Sequence, residues 1–391
     1  MYNILVTDAE KRKTLAMLRS VSKNNMNIIL ASHKKINLTR MSKFCDSFIL
    51  YPNPEKKPEE FIDFICNYLK TNNIDLILPM CDVTVELISK NKDKLTEVTN
   101  VPVPDYNIFM KARDKAITMK KAVETNTPAP ETHFINNLNE VENLKNEIEY
   151  PTVIKPRISS GSRGITYINS KEELIEKYNL VHQEFPFPML QEFIPQTGRK
   201  FQVLLLIDKN KNILASTVQE LLRQFPVGGG PGTLWKTIES KELEDLSIKL
   251  IKSLDWYGIA CVEFITDPRT GEPKLMEINP RFWGTLNLSL KVGVNFPELL
   301  IKMEMGEEIK PVINKRFEEY CQWLLPGDFL NFIFNKDRFN QEINYFFNKP
   351  KKFHYAIFSK DDPLPVLGAV LSYIVDLFNK EKLKNIFNRG K

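Results

Sequence analysis

Four short apolar runs punctuate the first hundred residues: Asn3–Val6, Asn27–Ala31, Ser47–Leu50 and Asp75–Pro79, each rich in β-branched or large aliphatic side chains. Helical patterns lie between some of them, most clearly over Lys13–Val21 and Glu59–Leu69. Strand-like and helix-like stretches in alternation predict a small parallel sheet of Rossmann type. The first turn reads Thr7-Asp8-Ala9-Glu10-Lys11 and contains no glycine. A dinucleotide pyrophosphate needs close backbone approach there, which glycine permits and an acidic side chain opposes. NAD and FAD are therefore not expected in this unit. Val101-Pro102-Val103-Pro104 marks its end, giving a first domain over residues 1–104.

From about residue 107 the pattern changes to hairpins mixed with helices, an α+β reading for residues 105–310. Beyond Gly306 a third segment, residues 311–391, is aromatic-rich through Tyr320–Phe347 and ends in an apolar-to-basic stretch. It is expected to be a mainly helical accessory segment. The chain shows no internal repeat and no low-complexity tract.

Composition narrows the function classes only a little. The 391 residues suffice for two or three domains, and 42% hydrophobic with 26% charged residues excludes a disordered chain. A net charge of +5 suits a phosphate-bearing ligand or a weak membrane contact equally, and no nucleic-acid partner is expected. The five cysteines are scattered without a CxxC pair, which supplies neither a zinc site nor a disulfide framework. His33, His133, His182 and His354 form no metal-ligand pattern. Met1–Thr7 leads straight into a charged stretch, unlike a signal peptide, and no apolar run approaches the roughly 20 residues of a membrane span. The expected location is cytoplasmic.

The most informative segment runs from Ile259 to Arg281. Two alternating apolar runs flank a Pro/Gly turn near Thr270, which reads as a β-hairpin. Strand periodicity puts Glu277 and Asn279 on one face, and pairing about the turn sets Glu263 roughly opposite Glu277. Two carboxylates across a hairpin repel unless a positive charge sits between them. Mg²⁺ answers that need, being a hard cation held by one or two carboxylates plus substrate phosphates. Asn279 adds a neutral oxygen, and Arg281 a bidentate fork for a phosphate or acyl phosphate. The plain alternative is an exposed hairpin whose acids are solvated.

Three further segments bear on that choice. Pro151–Ile168 carries Lys155 on a strand followed by the loop Ser160-Gly161-Ser162-Arg163-Gly164, whose backbone N–H groups can fold over phosphate oxygens. It is not a Walker loop, because no Gly-Lys-Ser/Thr opens a helix. Met189–Pro195 is an apolar strand stopping at a proline, and Glu192 near its end can accept from an adenine amine. Arg223 precedes the glycine-rich run Gly228-Gly229-Gly230-Pro231-Gly232, placed where backbone must move or approach a ligand, and could stabilise a transferring phosphoryl group. Each alone also reads blandly, as a hairpin connection, a strand end with a solvated glutamate, or a flexible linker.

In this order and spacing the four segments resemble the ATP-grasp superfamily, in particular the ATP-binding half of carbamoyl-phosphate synthase large subunits and their stand-alone carboxylate–amine ligase relatives. Met276-Glu-Ile-Asn-Pro-Arg281-Phe-Trp-Gly284 is the most specific match. The resemblance covers about residues 1–310. It implies a Rossmann-like pre-ATP-grasp domain and then an ATP-grasp fold, its nucleotide cleft between α+β subdomains of about 107–190 and 191–310. It implies roles residue by residue. Lys115 and Lys155 would contact ATP phosphates, with Ser160, Gly161, Ser162 and Gly164 covering them. Gln191, Glu192, Phe193 and Ile194 would line the adenine. Glu263, Glu277 and Asn279 would hold Mg²⁺ (or Mn²⁺), Arg281 would lie beside the transferred phosphoryl, and Arg223 with Gly228, Gly229 and Gly230 would face the substrate.

One departure stands out. The run Gly198-Arg-Lys-Phe-Gln202 lacks the acidic residue that often holds ribose hydroxyls in the family, leaving Lys200 either near the ribose or against an acidic substrate. The implied activity is ATP- and Mg²⁺-dependent ligation of a small carboxylate to an amine through an acyl phosphate, by a homodimer or monomer. The rival expectations are a non-catalytic ATP-binding module, a carboxyphosphate-forming enzyme and a kinase. The tail, Leu364–Phe378 followed by Lys380, Lys382, Lys384, Arg389 and Lys391, is read as an accessory helix packed on the body, because the apolar stretch lacks a wide charged face. A weak membrane-surface contact through residues 364–391 is the alternative.

Overall fold

The computed structural model describes residues 1–22 and 26–377. Three sheets organise the chain. The first is parallel, in the order Ser47–Leu50, Met26–Ser32, Tyr2–Val6, Leu76–Leu78. Its strands are apolar on consecutive positions because both faces are covered. Leu5, Ile29 and Ile77 pack against Phe61, Ile65 and Leu69 of the helix Pro58–Thr71. Ile4, Val6 and Leu30 face Met17, Leu18 and Val21 of the helix Arg12–Val21.

The second sheet is antiparallel and small: Thr132–His133, Met189–Glu192, Thr152–Lys155 and Thr166–Ile168. It has its own core of Ile154, Ile168, Leu174, Tyr178 and Leu190. The third holds eight strands. Its path runs Pro273–Asn279, Gly258–Thr266, Lys200–Ile207, Ile213–Gln224, Gly232–Ile238, Tyr320–Gln322, Phe353–Tyr355, with Val312–Ile313 pairing beside Ile213–Gln224. The segment after residue 310 therefore adds strands to the large sheet as well as the helices Phe329–Phe334 and Leu364–Leu377.

Alternation along Lys200–Ile207 ties the first and third sheets together. Val203 and Leu205 join the core containing Leu5 and Phe61, whereas Leu204 and Leu206 join the core containing Ile4 and Met17. The small sheet stands outside both cores. It meets the large sheet where Lys155, the last residue of its strand, donates to the Met276 carbonyl at 3.0 Å. The candidate site lies at that meeting.

Candidate active site

The hairpin forms as its alternation requires. Gly271, in the left-handed region at φ 79°, closes the turn by donating to the Asp267 carbonyl at 2.7 Å. Val262, Phe264, Leu275 and Ile278 go into the core. That fixes the register, and Glu263 pairs with Glu277. Asn279 Nδ2 bridges the two carboxylates, at 2.8 Å from Glu263 and 3.1 Å from Glu277.

Three cations converge on this acidic pair. Lys115 opens the helix Lys115–Glu124, capped by the Asp114 side chain accepting from the Ala116 N–H at 2.9 Å. Its Nζ lies 3.3 Å from Glu277 and 3.1 Å from the Ser159 carbonyl. Lys155 Nζ donates to Gln191 Oε1 at 3.2 Å as well as to Met276. Arg281 donates from Nη2 to Asn279 Oδ1 at 3.0 Å and from Nε to Asp82 at 2.9 Å.

Burial in this cluster separates the titrations. The Glu263 carboxyl is pushed up to about 7 by burial and by the neighbouring Glu277 charge. Glu277 is also buried, yet Lys115 and Lys155 hold it below the ordinary carboxylate range. Lys155 is pushed down to about 8 by burial, with Lys115 adding to the effect and Glu277 opposing it. Asp82 is held low despite its burial, because Arg281 and Lys13 face it.

A divalent cation fits this donor set. Two carboxylates converge where burial and the Glu277 charge push Glu263 up to about 7, and Asn279, whose Nδ2 bridges them while its Oδ1 accepts from Arg281, would turn its amide to add an oxygen. Among the described residues no group of three or more His, Cys, Asp or Glu side chains could hold a metal unaided. Such a site needs further oxygens from elsewhere, the usual condition of Mg²⁺ bound with substrate phosphates.

The loop expected to cover phosphates follows Ser159, whose carbonyl accepts from Lys115 Nζ. Gly161, Ser162 and Gly164 adopt φ of 65°, 62° and 72°. At Gly164 a Cβ would come within 2.6 Å of the Phe185 ring and 2.7 Å of Pro156, so a glycine is required. Ser160 is half-buried, and Gly161, Ser162 and Arg163 after it are exposed. In the segment expected to line the adenine, Gln191 is buried and joins Lys155 to Thr132. Glu192 pairs with Arg269 and accepts from the Glu131 N–H at 3.2 Å. Phe193 packs edge-on against Tyr167, and the buried Ile194 follows the end of the strand.

Two expectations change in the structure. Arg223, expected to face a transferring phosphoryl group, is buried, with its guanidinium taken up elsewhere. It pairs with both oxygens of Asp328, donates to the Ile343 carbonyl and lies over the Tyr345 ring. The glycine run, expected where backbone moves or closely approaches a ligand, packs at Gly230 and Gly232 against its own chain. A Cβ on Gly230 would reach 2.4 Å from the Phe225 carbonyl, and one on Gly232 would enter the Trp235 ring. Gly229 donates to the Pro226 carbonyl at 3.2 Å, and Gly228 lies in the same turn.

Lys200 points toward Gln224, 3.4 Å from its Oε1. It lines an open cleft of about 180 Å³ with Gln196, Gln224, Asn331, Asn335 and Gln341. Sequence reasoning missed Asp82, which orients Arg281 from 199 positions away. Its place as the first residue of a helix after the parallel strand Leu76–Leu78 was the available signal, because ligands gather at the carboxyl ends of such strands. It also missed Asp114, which caps the Lys115 helix and pairs with Arg157.

Residues 112–285 match the family model described as an ATP-grasp domain. The matched segment is similar to ATP-grasp domains. Solved structures of the same fold include the Campylobacter jejuni biotin carboxylase complexed with βγ-ATP, 18% identical, with a TM-score of 0.65 over 79% of this chain and 72% of that one. The biotin carboxylase domain of the Hydrogenobacter thermophilus 2-oxoglutarate carboxylase, a dimer with MgADP, ADP and bicarbonate, is 17% identical, with a TM-score of 0.65 over 81% and 73%. The Staphylococcus aureus N5-carboxyaminoimidazole synthetase is 16% identical, with a TM-score of 0.61 over 80% and 79%. The matched segment contains every residue of the acidic pair and its facing lysines, whereas Asp82 opens a helix that precedes it.

Proposed function

We propose that the protein is an ATP- and Mg²⁺-dependent ligase that activates a small carboxylate as an acyl phosphate for attack by an amine. The observation that carries this reading is the in-register pair Glu263 and Glu277, ringed by Lys115, Lys155 and Arg281 within the segment similar to ATP-grasp domains. Bound Mg²⁺ (or Mn²⁺), held by Glu263, Glu277 and Asn279, would offset phosphate charge. Lys115 and Lys155 would bind the phosphates, under the Ser160–Gly164 loop, which would exclude water from the acyl phosphate. Gln191, Glu192, Phe193 and Ile194 would receive the adenine, with Glu192 exchanging its Arg269 contact for the exocyclic amine.

Arg281, held by Asp82, would orient the transferred phosphoryl group. A carboxylate oxygen of the substrate attacks the γ-phosphorus and ADP leaves. The amine then attacks the acyl carbon and phosphate leaves. Lys200, at the mouth of the amide-lined cleft, is the cation suited to meet the substrate carboxylate.

Pairs of small carboxylates and amines, screened for ADP formation with mass spectrometry of the product, test this reading. Stoichiometric ADP and a condensed product are expected for one pair. ADP release with no condensed product, or none above background, would refute it. In such an assay Lys200→Glu is expected to raise KM for the carboxylate and leave MgATP affinity unchanged. A second reading takes bicarbonate as the carboxylate, favoured by the bicarbonate bound in the 2-oxoglutarate carboxylase domain of the same fold. Bicarbonate-dependent ADP release distinguishes it.

A further inference from the structure

The helix Leu364–Leu377 is packed the opposite way from an ordinary surface helix. Its small residues face the protein: Ala369 is buried, and Gly368 sits so close to Leu38 and Met41 that a Cβ would approach both at 2.9 Å. Of its large residues Val366 and Tyr373 pack partly against the core with Leu15 and Leu38, and the others face outward. Leu367, Leu371 and Ile374, at spacings of four and three, are 49%, 38% and 45% exposed. A helix that covers only a core puts its large apolar side chains inside.

The exposed stripe does not end with the helix. The helix contacts the turn Leu324–Asp328, from which the helix Phe329–Phe334 continues, and there Phe329 is exposed. Phe339 and Phe347 in the following loops are 80% and 72% exposed. Exposed aliphatic and aromatic side chains in this number, on elements joined through one turn, mark an interaction surface.

Charge indicates what covers it. In the segment that carries these phenylalanines Lys336, Lys351, Lys352 and Lys360 are exposed, and with Arg338, which lies against the rings of Phe332 and Phe339, they outnumber the exposed acids Asp337, Glu342 and Asp361. A second copy on a two-fold axis would set this basic surface against itself. A bilayer with anionic headgroups satisfies both features, taking the apolar side chains into its interface and the lysines against its phosphates. Among the described residues no helix is long and apolar enough to cross a membrane, so the contact is interfacial. The basic run from Lys380 to Lys391 lies outside the described residues.

We propose that the outer face of Leu364–Leu377, with the exposed phenylalanines of residues 329–347, docks on an anionic membrane surface.

Flotation of the full chain with vesicles of phosphatidylcholine alone, or mixed with phosphatidylglycerol, tests this. Binding to the mixed vesicles is expected, weakened by added salt. Leu371→Ser with Ile374→Ser should weaken it roughly tenfold or more, while circular dichroism and ATP turnover stay unchanged. Lys351→Glu with Lys352→Glu, a change on the exposed surface alone, should remove the preference for phosphatidylglycerol. Absence of binding to either vesicle overturns the proposal, as does binding that neither pair of substitutions alters. A concentration-dependent dimer that Leu371→Ser with Ile374→Ser dissociates, without vesicle binding, also overturns it, in favour of a second copy.

Discussion

At the scale of single residues, the site is governed by where two negative charges are allowed to coexist. Glu277 keeps its charge because Lys115 and Lys155 face it, whereas Glu263, buried beside Glu277, titrates near neutrality. Replacing Glu277 with alanine removes the carboxylate that Lys115 and Asn279 both contact. Turnover is expected to fall by about 10²- to 10³-fold, the usual loss when a group aimed at transition-state charge is removed; a steady-state ADP assay measures it. The raised Glu263 titration also has a sign for metal binding. A cation competes with the proton on that carboxyl, so affinity for Mg²⁺ should be low at pH 5, rise through about pH 7 and level off above it. Calorimetry across that range in buffers of different ionisation enthalpy should show proton release below pH 7.

At the scale of elements, legibility followed the range of the interactions. Glu263 opposite Glu277 was readable because a hairpin is local and strand alternation has a fixed period. The parallel strands of residues 2–78 were readable because burial on both faces leaves them continuously apolar. Arg223 was misread because its partner Asp328 lies 105 positions away, on a turn whose course no local pattern gives. Asp82 was missed for the same reason, and the tight packing at Gly230 and Gly232 depends on ring and carbonyl positions that only the fold supplies. The Arg223–Asp328 pair is almost wholly buried, at 2% and 0% side-chain exposure. Asp328→Ala would leave the guanidinium uncompensated and also strip partners from Thr233 and Gln322. A loss of about 3–5 kcal/mol is expected in chemical denaturation, with a smaller effect on MgATP affinity.

At the scale of the whole molecule, two sheets share continuous cores and the third, small sheet carries Lys155 and the loop expected to cover phosphates on a separate core. The segment after residue 310 fastens the ends of this body together, through Arg19 with Asp362 at 2.9 Å and Gly368 against Leu38. Gly368→Leu should push the last helix off that seat and destabilise the protein by about 1–3 kcal/mol, as read from thermal unfolding, with ATP turnover retained. Everything chemical in this account depends on one ion lying between the strands of the hairpin. A crystal grown with Mn²⁺ and a non-hydrolysable ATP analogue, recorded at the manganese absorption edge, locates that ion directly. An anomalous peak bridging Glu263 and Glu277 and touching the terminal phosphates is expected; a bound nucleotide with no peak there, and both carboxylates turned to solvent, would contradict the metal assignment.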